Sequence, residues 1–127
     1  MCENSNLKYP DFSVLMSVYF KEKPEYIREC FDSLLNQTVK ASQWVIVKDG
    51  PLTDELESVL SEYNEKYSKL IKFVSIKENV QLGRALKAGV KACDNEIIAR
   101  MDTDDICVPN RFEKQLREFS NDSQLDI

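Results

Sequence analysis

Phe12-Ser13-Val14-Leu15-Met16-Ser17-Val18-Tyr19 is the stretch whose reading decides the fold. Its aliphatic and aromatic residues run without a charge until the turn Phe20-Lys21-Glu22-Lys23-Pro24, which predicts a buried strand. Pro24 suits a first helical position, where a missing N–H costs nothing and a fixed φ is already helical. Beyond it Ile27, Cys30, Phe31, Leu34 and Leu35 recur at i, i+3, i+4, i+7 and i+8, the apolar stripe of a helix lying on a sheet. Strand and helix make one β-α unit.

The unit recurs along the chain. Trp44 to Val47 predicts a short buried strand, with Trp44 most simply core. Lys48-Asp49-Gly50-Pro51 punctuates it, and Thr53 or Asp54 opens a helix with Leu56, Val59, Leu60 and Tyr63 on its inner face. Ile71 to Ile76 predicts a third strand, and Asn79 to Gly83 leads into a helix with Leu82, Ala85, Leu86, Gly89 and Val90 inward. Glu96 to Met101 predicts the fourth strand. The acidic run Asp102-Thr103-Asp104-Asp105 follows it, then Pro109 and a helix with Phe112, Leu116 and Phe119 inward.

Four such units predict an α/β fold, a mostly parallel sheet with helices on both faces, because right-handed crossovers return each helix to the sheet. With no Gly/Ser linker or repeat, residues 1–127 are expected to form a single domain. The tail Gln124-Leu125-Asp126-Ile127 reads as the approach to another strand, so the chain is expected to be truncated. Ligands of such sheets bind beyond the carboxyl ends of the strands. The loops that matter are therefore Tyr19 to Pro24, Lys48 to Pro51, Asn79 to Gly83 and Asp102 to Pro109.

Composition narrows the chemistry. The 43% apolar and 31% charged residues are ordinary for a soluble domain of 127 residues. Seventeen basic against 22 acidic residues give net −5, with no basic window of the kind a phosphate-tracking surface requires, so no nucleic-acid partner is expected. The longest apolar runs are far short of the ~20 residues needed to span a bilayer. Met1 to Tyr9 lacks the features of a signal peptide, and a cytoplasmic location is expected, with peripheral work at the inner face of the cell membrane left open. Cys2, Cys30, Cys93 and Cys107 show no C-x-x-C pairing, which favours neither a disulfide framework nor a zinc site; Cys30 and Cys93 read as core on helix faces. The chain has no histidine, which removes Ser-His-Asp triads, Cys-His pairs and H-E-x-x-H sites. Its chemistry must run on carboxylates, amides, hydroxyls and a cation.

Asp102, Asp104 and Asp105 place three carboxylates within four residues after an apolar strand whose end should be only partly solvated. The bland alternative is an acidic turn in which Asp104 or Asp105 caps the next helix. The functional one is a site for Mn²⁺ or Mg²⁺, hard cations that take one or two protein carboxylates when phosphate oxygens complete the shell. Asp49 before Gly50-Pro51 is either an Asx-turn or helix cap, or a ligand contact at the strand end. Tyr19 offers a ring to stack on a nucleobase and Ser17 a hydroxyl for its edge, although Tyr19 alone reads as packing and Glu22 as a solvated charge. Asn79, Gln81 and Arg84 mark the start of the third helix, where exposed N–H groups favour an anion. Arg84 is either a phosphate contact or a surface residue, and Arg100 and Arg111 read as ion-pair partners of the acidic loop.

In their order and spacing these blocks resemble family 2 of the inverting glycosyltransferases with the GT-A fold. The pieces that carry the likeness are Ser13 to Tyr19, Leu34-Leu35-Asn36-Gln37-Thr38, Val45-Ile46-Val47-Lys48-Asp49-Gly50, Glu78-Asn79 with Leu82-Gly83, and Ala99 to Asp105 followed by Pro109-Asn110-Arg111-Phe112. The resemblance implies the nucleotide-sugar-binding front part of such an enzyme. It implies that Asp49 contacts the base, that Ser17 and Tyr19 line the same pocket, and that Asp102 and Asp104 form a D-x-D motif. In that motif Asp104 is the main metal ligand, and Asp102 lies near the ribose or shares the cation. Glu22 matches an acidic position common in its loop; Gln81 stands where glycine is frequent and Lys87 where asparagine is frequent. The implied activity is transfer of a sugar from a nucleotide-diphosphate donor, a UDP-sugar above all, to a saccharide or lipid-linked acceptor in glycan biosynthesis. The acceptor surface and the general base of such enzymes lie in a later half, outside this chain.

Three rivals stand beside this expectation. A phosphoacceptor receiver domain has a similar length and a Mg²⁺ pocket, but needs acidic residues after its first and third strands, where this chain has Ser17-Val18-Tyr19 and Ile76-Lys77-Glu78. A sugar nucleotidyltransferase needs a Gly-rich basic loop after the first strand, and Tyr19 to Pro24 has no glycine. The third is a non-catalytic interaction module that keeps the same fold.

Overall fold

The computed structural model describes residues 10–103 and 106–121. Strand β1 (Phe12–Val18) is buried along its length except at Ser17, as its uncharged run predicts. It is followed by α1 (Pro24–Leu35), β2 (Gln43–Asp49), α2 (Asp54–Lys66), β3 (Ile71–Ile76), α3 (Gln81–Ala92), β4 (Ile97–Arg100) and α4 (Arg111–Asn121). The four strands form one sheet in the order β3-β2-β1-β4, and every pairing is parallel. Leu15 lies opposite Val45 on one side and Arg100 on the other, so β1 is central.

Strand alternation sorts the core into two layers. Val14, Met16, Val18, Trp44 and Ile46 pack with Ile27, Phe31, Leu56, Leu60, Phe112 and Leu116, so α1, α2 and α4 cover one face. Leu15, Val45 and Val47 pack with Ala85 of α3 on the other. Helices therefore lie on both faces, as expected.

The helix ends follow local rules. Thr53 Oγ1 accepts from the Leu56 N–H at 3.1 Å, satisfying a donor the helix cannot, while Asp54, Glu55 and Glu57 lie at the positive end of α2 and Lys66 at the negative end. At the amino ends of the strands, Asn95 Nδ2 donates to both Ser13 and Ser42, and Gln43 Nε2 donates to Asp94. The sheet is thus tied at the edge opposite the ligand-facing one.

Three expectations need correction. β2 runs on to Asp49 because Asp49 still pairs with Ile76, and the Gly50 N–H donates to the Ile76 carbonyl at 3.1 Å. Val90 is exposed, since it lies about 100° round the helix from Gly89, the residue that meets the sheet. Cys93 lies at the C-cap of α3, half-buried against the second cluster, rather than on a helix face; Cys30 is core. The side chains of Leu82 and Phe119 lie outside the described residues.

Gly89 sets how closely α3 approaches the sheet. A Cβ there would lie 2.4 Å from Leu15 Cδ1 and 2.7 Å from Val47 Cγ2, whereas one at Gly83 would meet nothing within 4 Å. Gly89→Ala is expected to cost about 1–3 kcal/mol through overpacking, and Gly83→Ala to gain up to about 1 kcal/mol from helix propensity. Urea unfolding midpoints moving in opposite directions would bear this out; a neutral Gly89→Ala would contradict it.

Tyr63, on the inner face of α2, donates its hydroxyl to Asp32 Oδ1 at 2.7 Å. Burial first, then this bond to a carboxylate, pushes its phenol up to about 12. The folded chain holds this proton more tightly than the unfolded one. The stabilisation is therefore complete below pH ~10 and is lost as pH rises toward about 12. Tyr63→Phe should remove this part of the alkaline loss, read as stability against pH across that window; an unchanged alkaline limb would count against it.

Candidate functional site

The connections run from β1 to β2 to β3 on one side, then cross back to place β4 on the other side of β1. The strand order therefore reverses between β1 and β4. In open α/β sheets ligands bind outside the carboxyl ends of the strands at such a reversal, against the loops that follow the two strands. Here those loops are 19–23 and 101–110.

One hydrogen bond joins the two loops: Thr103 Oγ1 donates to Glu22 Oε2 at 2.6 Å. Thr103 is buried, and the Met101 N–H donates to the Leu15 carbonyl, carrying the β1–β4 ladder past the end of β4. Between buried Met101 and buried Thr103, Asp102 is exposed. The strand end, expected to be only partly solvated, thus alternates between buried neighbours and an exposed Asp102. Its main-chain carbonyl accepts from Cys30 Sγ at 3.7 Å, so the backbone is held from below.

At the end of β2, Asp49 is buried at 3% exposure, and its Oδ1 accepts the Val80 N–H at 2.8 Å. Asn79 Nδ2 donates to the Asp49 carbonyl at 3.3 Å. The carboxylate thus supports the start of α3, whose own N-cap residue Val80 supplies no side-chain cap. Gly50 makes this approach possible: its φ is +86°, and a Cβ there would lie 2.7 Å from the Asn79 nitrogen.

Register brings several candidates to one side of the sheet. Ser17 pairs with Val47 and shares the face of Leu15, Val45 and Val47, as does Asp49 two residues further on. Ile98 of β4 packs on that face too, so the alternation that buries Met101 on the opposite face returns Asp102 to it. Half-buried Ser17 near the end of β1 and Asp49 at the end of β2 thus share the α3 side, and Asp102, two residues past β4, falls on that side if the alternation continues. Tyr19 lies just beyond β1, exposed, in edge contact with Phe20 at 6.0 Å rather than in the core. Asn79 and Arg84 are exposed at the start of α3, beside β2 and away from β4. The Gln81 side chain, Asp104 and Asp105 lie outside the described residues.

Arg111 Nη1 donates to Cys107 Sγ at 3.2 Å, and Asp104 and Asp105, the loop carboxylates it was expected to balance, lie outside the described residues. Among the described residues neither Arg100 nor Arg111 forms an ion pair.

Sequence reading missed Ser33, Gln37 and Thr103. Ser33 and Gln37 are buried at the end of α1 and bond to the segment 107–112; Thr103 makes the bridge to Glu22. The available signal was period: Ser33 and Gln37 lie three and seven residues after Cys30, on the apolar stripe itself.

Around Asp102 the donors are carboxylate and hydroxyl oxygens, the set that suits a hard divalent cation. Among the described residues no three His, Cys, Asp or Glu side chains gather into a metal-binding group. Oxygen donors of this kind fit a hard cation whose shell diphosphate oxygens complete.

A parallel sheet with helices on both faces and polar residues near its strand tips is an α/β architecture that binds ligands at the switch point. The family model for glycosyl transferase family 2 matches residues 13–125, and the chain belongs to that family. A glycosyltransferase of Haemophilus influenzae is 51% identical over 105 residues, 83% of this chain and 39% of that protein. The Escherichia coli UDP-Gal:alpha-D-GlcNAc-diphosphoundecaprenol beta-1,3-galactosyltransferase is 38% identical over 118 residues, 93% of this chain and 42% of that one. The chain thus spans about two fifths of the relatives' length. A mannosyltransferase of Pyrobaculum calidifontis, solved with GDP-Man and Mn²⁺, superposes with a TM-score of 0.66 at 22% identity, over 76% of this chain and 28% of the other. The fold is that of GT-A glycosyltransferases.

Gly50→Ala should cost about 1–3 kcal/mol, because the left-handed backbone is strained for any side chain and the new Cβ strikes backbone. Amide exchange at Val80 should rise as its bond to Asp49 loosens. A variant with unchanged stability and protected Val80 would contradict this.

Proposed function

We propose that this chain is the donor-binding part of a glycosyltransferase that moves a sugar from a nucleotide-diphosphate donor, a UDP-sugar, to a saccharide or lipid-linked acceptor in glycan biosynthesis. What supports it most is that Ser17 of β1 and Asp49 of β2 share one face of the sheet, and that Asp102, two residues past β4, falls on the same face by continued alternation. The Escherichia coli relative, named for a UDP-Gal donor and a lipid-diphosphate acceptor, supports the donor and acceptor classes.

Asp49 holds the base edge. A carboxylate only accepts, so it favours a base that offers an N–H, as uracil does. Ser17 adds a hydroxyl, and exposed Tyr19 a ring face for stacking. Asn79, Gln81 and Arg84, at the helix start beside Asp49, are assigned to the same donor site, where the free N–H groups and the dipole favour negative charge. Glu22 fixes Thr103 and with it the acidic run. Asp102 and Asp104 hold Mn²⁺ or Mg²⁺, which when bound neutralises charge on the departing diphosphate. The general base belongs to residues outside these 127, so the chain alone binds donor weakly and transfers no sugar. Among the described residues no helix is long and apolar enough to cross a membrane, and a lipid-linked acceptor would be met by peripheral association at the cytoplasmic face.

Titration calorimetry with UDP, GDP and dTDP, each with Mn²⁺ and with chelator, tests this. UDP should bind tightest and more tightly with metal than with chelator, and Asp104→Ala should weaken the metal-dependent part on the order of tenfold or more. Equal affinity in chelator, or an Asp104→Ala variant that binds like the parent, would refute the assignment.

A further inference from the structure

The acidic run is fastened on its far side by the end of α1, through residues that no ligand contact above uses. Gln37 is 1% exposed, yet every polar atom of its side chain is engaged. Nε2 donates to the Val108 carbonyl at 2.7 Å and to the Ser33 carbonyl at 3.4 Å, and Oε1 accepts the Phe112 N–H at 3.1 Å. Ser33 Oγ accepts the Cys107 N–H at 3.0 Å and donates to the Cys30 carbonyl at 2.7 Å. The Thr38 N–H donates to the Pro109 carbonyl at 2.7 Å. Four backbone groups of the segment 107–112 are thus bound by residues 33–38.

A primary amide carries its donors and its acceptor on two separate atoms at the end of one side chain, as these three bonds require. A carboxylate here would accept and not donate, and a methionine would do neither. With Thr103 bonded to Glu22 and the Met101 N–H to Leu15, both flanks of the acidic run are attached to fixed parts of the fold. Ligand groups held in place by partners behind them need no reordering when the ligand arrives.

We propose that Gln37, backed by Ser33, is the positioning residue of the acidic run: it anchors the 107–112 flank so that Asp102 and Asp104 are set for a divalent cation before nucleotide binds. This rests on the donor site proposed above and adds to it a residue that touches neither cation nor nucleotide.

The test compares Gln37→Met, which keeps length and volume, with Tyr63→Phe, which removes a hydrogen bond between α1 and α2 that involves no residue of 107–112. Two measurements are made on each folded chain: amide exchange over residues 106–112, and UDP affinity in Mn²⁺ and in chelator. Gln37→Met should speed exchange over 106–112, weaken the Mn²⁺-dependent part of UDP binding about 10- to 100-fold, and leave affinity in chelator within about twofold. Tyr63→Phe should change neither measurement. Should Gln37→Met fail to fold, Ser33→Ala, which removes the acceptor of the Cys107 N–H together with the bond to the Cys30 carbonyl, carries the same comparison. Faster exchange with an unchanged Mn²⁺-dependent part would overturn the proposal, as would equal losses with and without metal or the same losses in Tyr63→Phe. If the parent chain shows no Mn²⁺-dependent binding while exchange still responds to Gln37→Met, the donor-site assignment has failed, and the positioning role falls with it.

Discussion

β1 is hydrogen-bonded on both edges, to β2 and to β4, and this two-sided pairing is the constraint on which the other features depend. A parallel strand with two parallel neighbours has both faces to cover, so its residues are apolar in both directions and helices must lie above and below. The same pairing makes β1 the place where the strand order turns back. The tip of β1 therefore lies between the tips of β2 and β4, and Ser17 shares a face with Asp49 and, by continued alternation, Asp102 without any of the three being adjacent in sequence.

The fold was largely legible because period and burial agree. Ile27, Cys30, Phe31 and Leu34 are all buried, as their spacing required, and β3 has the limits that the alternation of Ile71 to Ile76 indicated. Val90 misled because an apolar side chain next to a buried glycine looks like part of the stripe, whereas Gly89 lets α3 sit so close that its neighbour is turned outward. Cys93 misled because the helix ends one residue earlier, at Ala92.

The site was legible in part. Asp49, Ser17 and Asp102 were identifiable because strand ends and punctuation mark them, and the face they share follows from parity once register is known. That Asp49 supports Val80 was present as the capping alternative for Asp49, but its partner was not, since 31 residues separate them. Glu22 reads as a solvated charge until its bond to Thr103 is seen. Ser33 and Gln37 were invisible for a different reason: a polar residue on an apolar stripe looks like a tolerated exception, and its partners belong to a loop with no periodic signature of its own.

The hold of α1 on the 107–112 segment is exerted almost entirely on main-chain atoms: Cys107 N–H, Val108 and Pro109 carbonyls, and Phe112 N–H. Such a grip is indifferent to what the gripped residues carry. Ile106 and Val108 expose 65% and 61% of their surface, so their identity can drift while the path of the chain stays the same. Shape and chemical identity are thereby uncoupled, and one scaffold can present different side chains along the same rim without relearning how to fold.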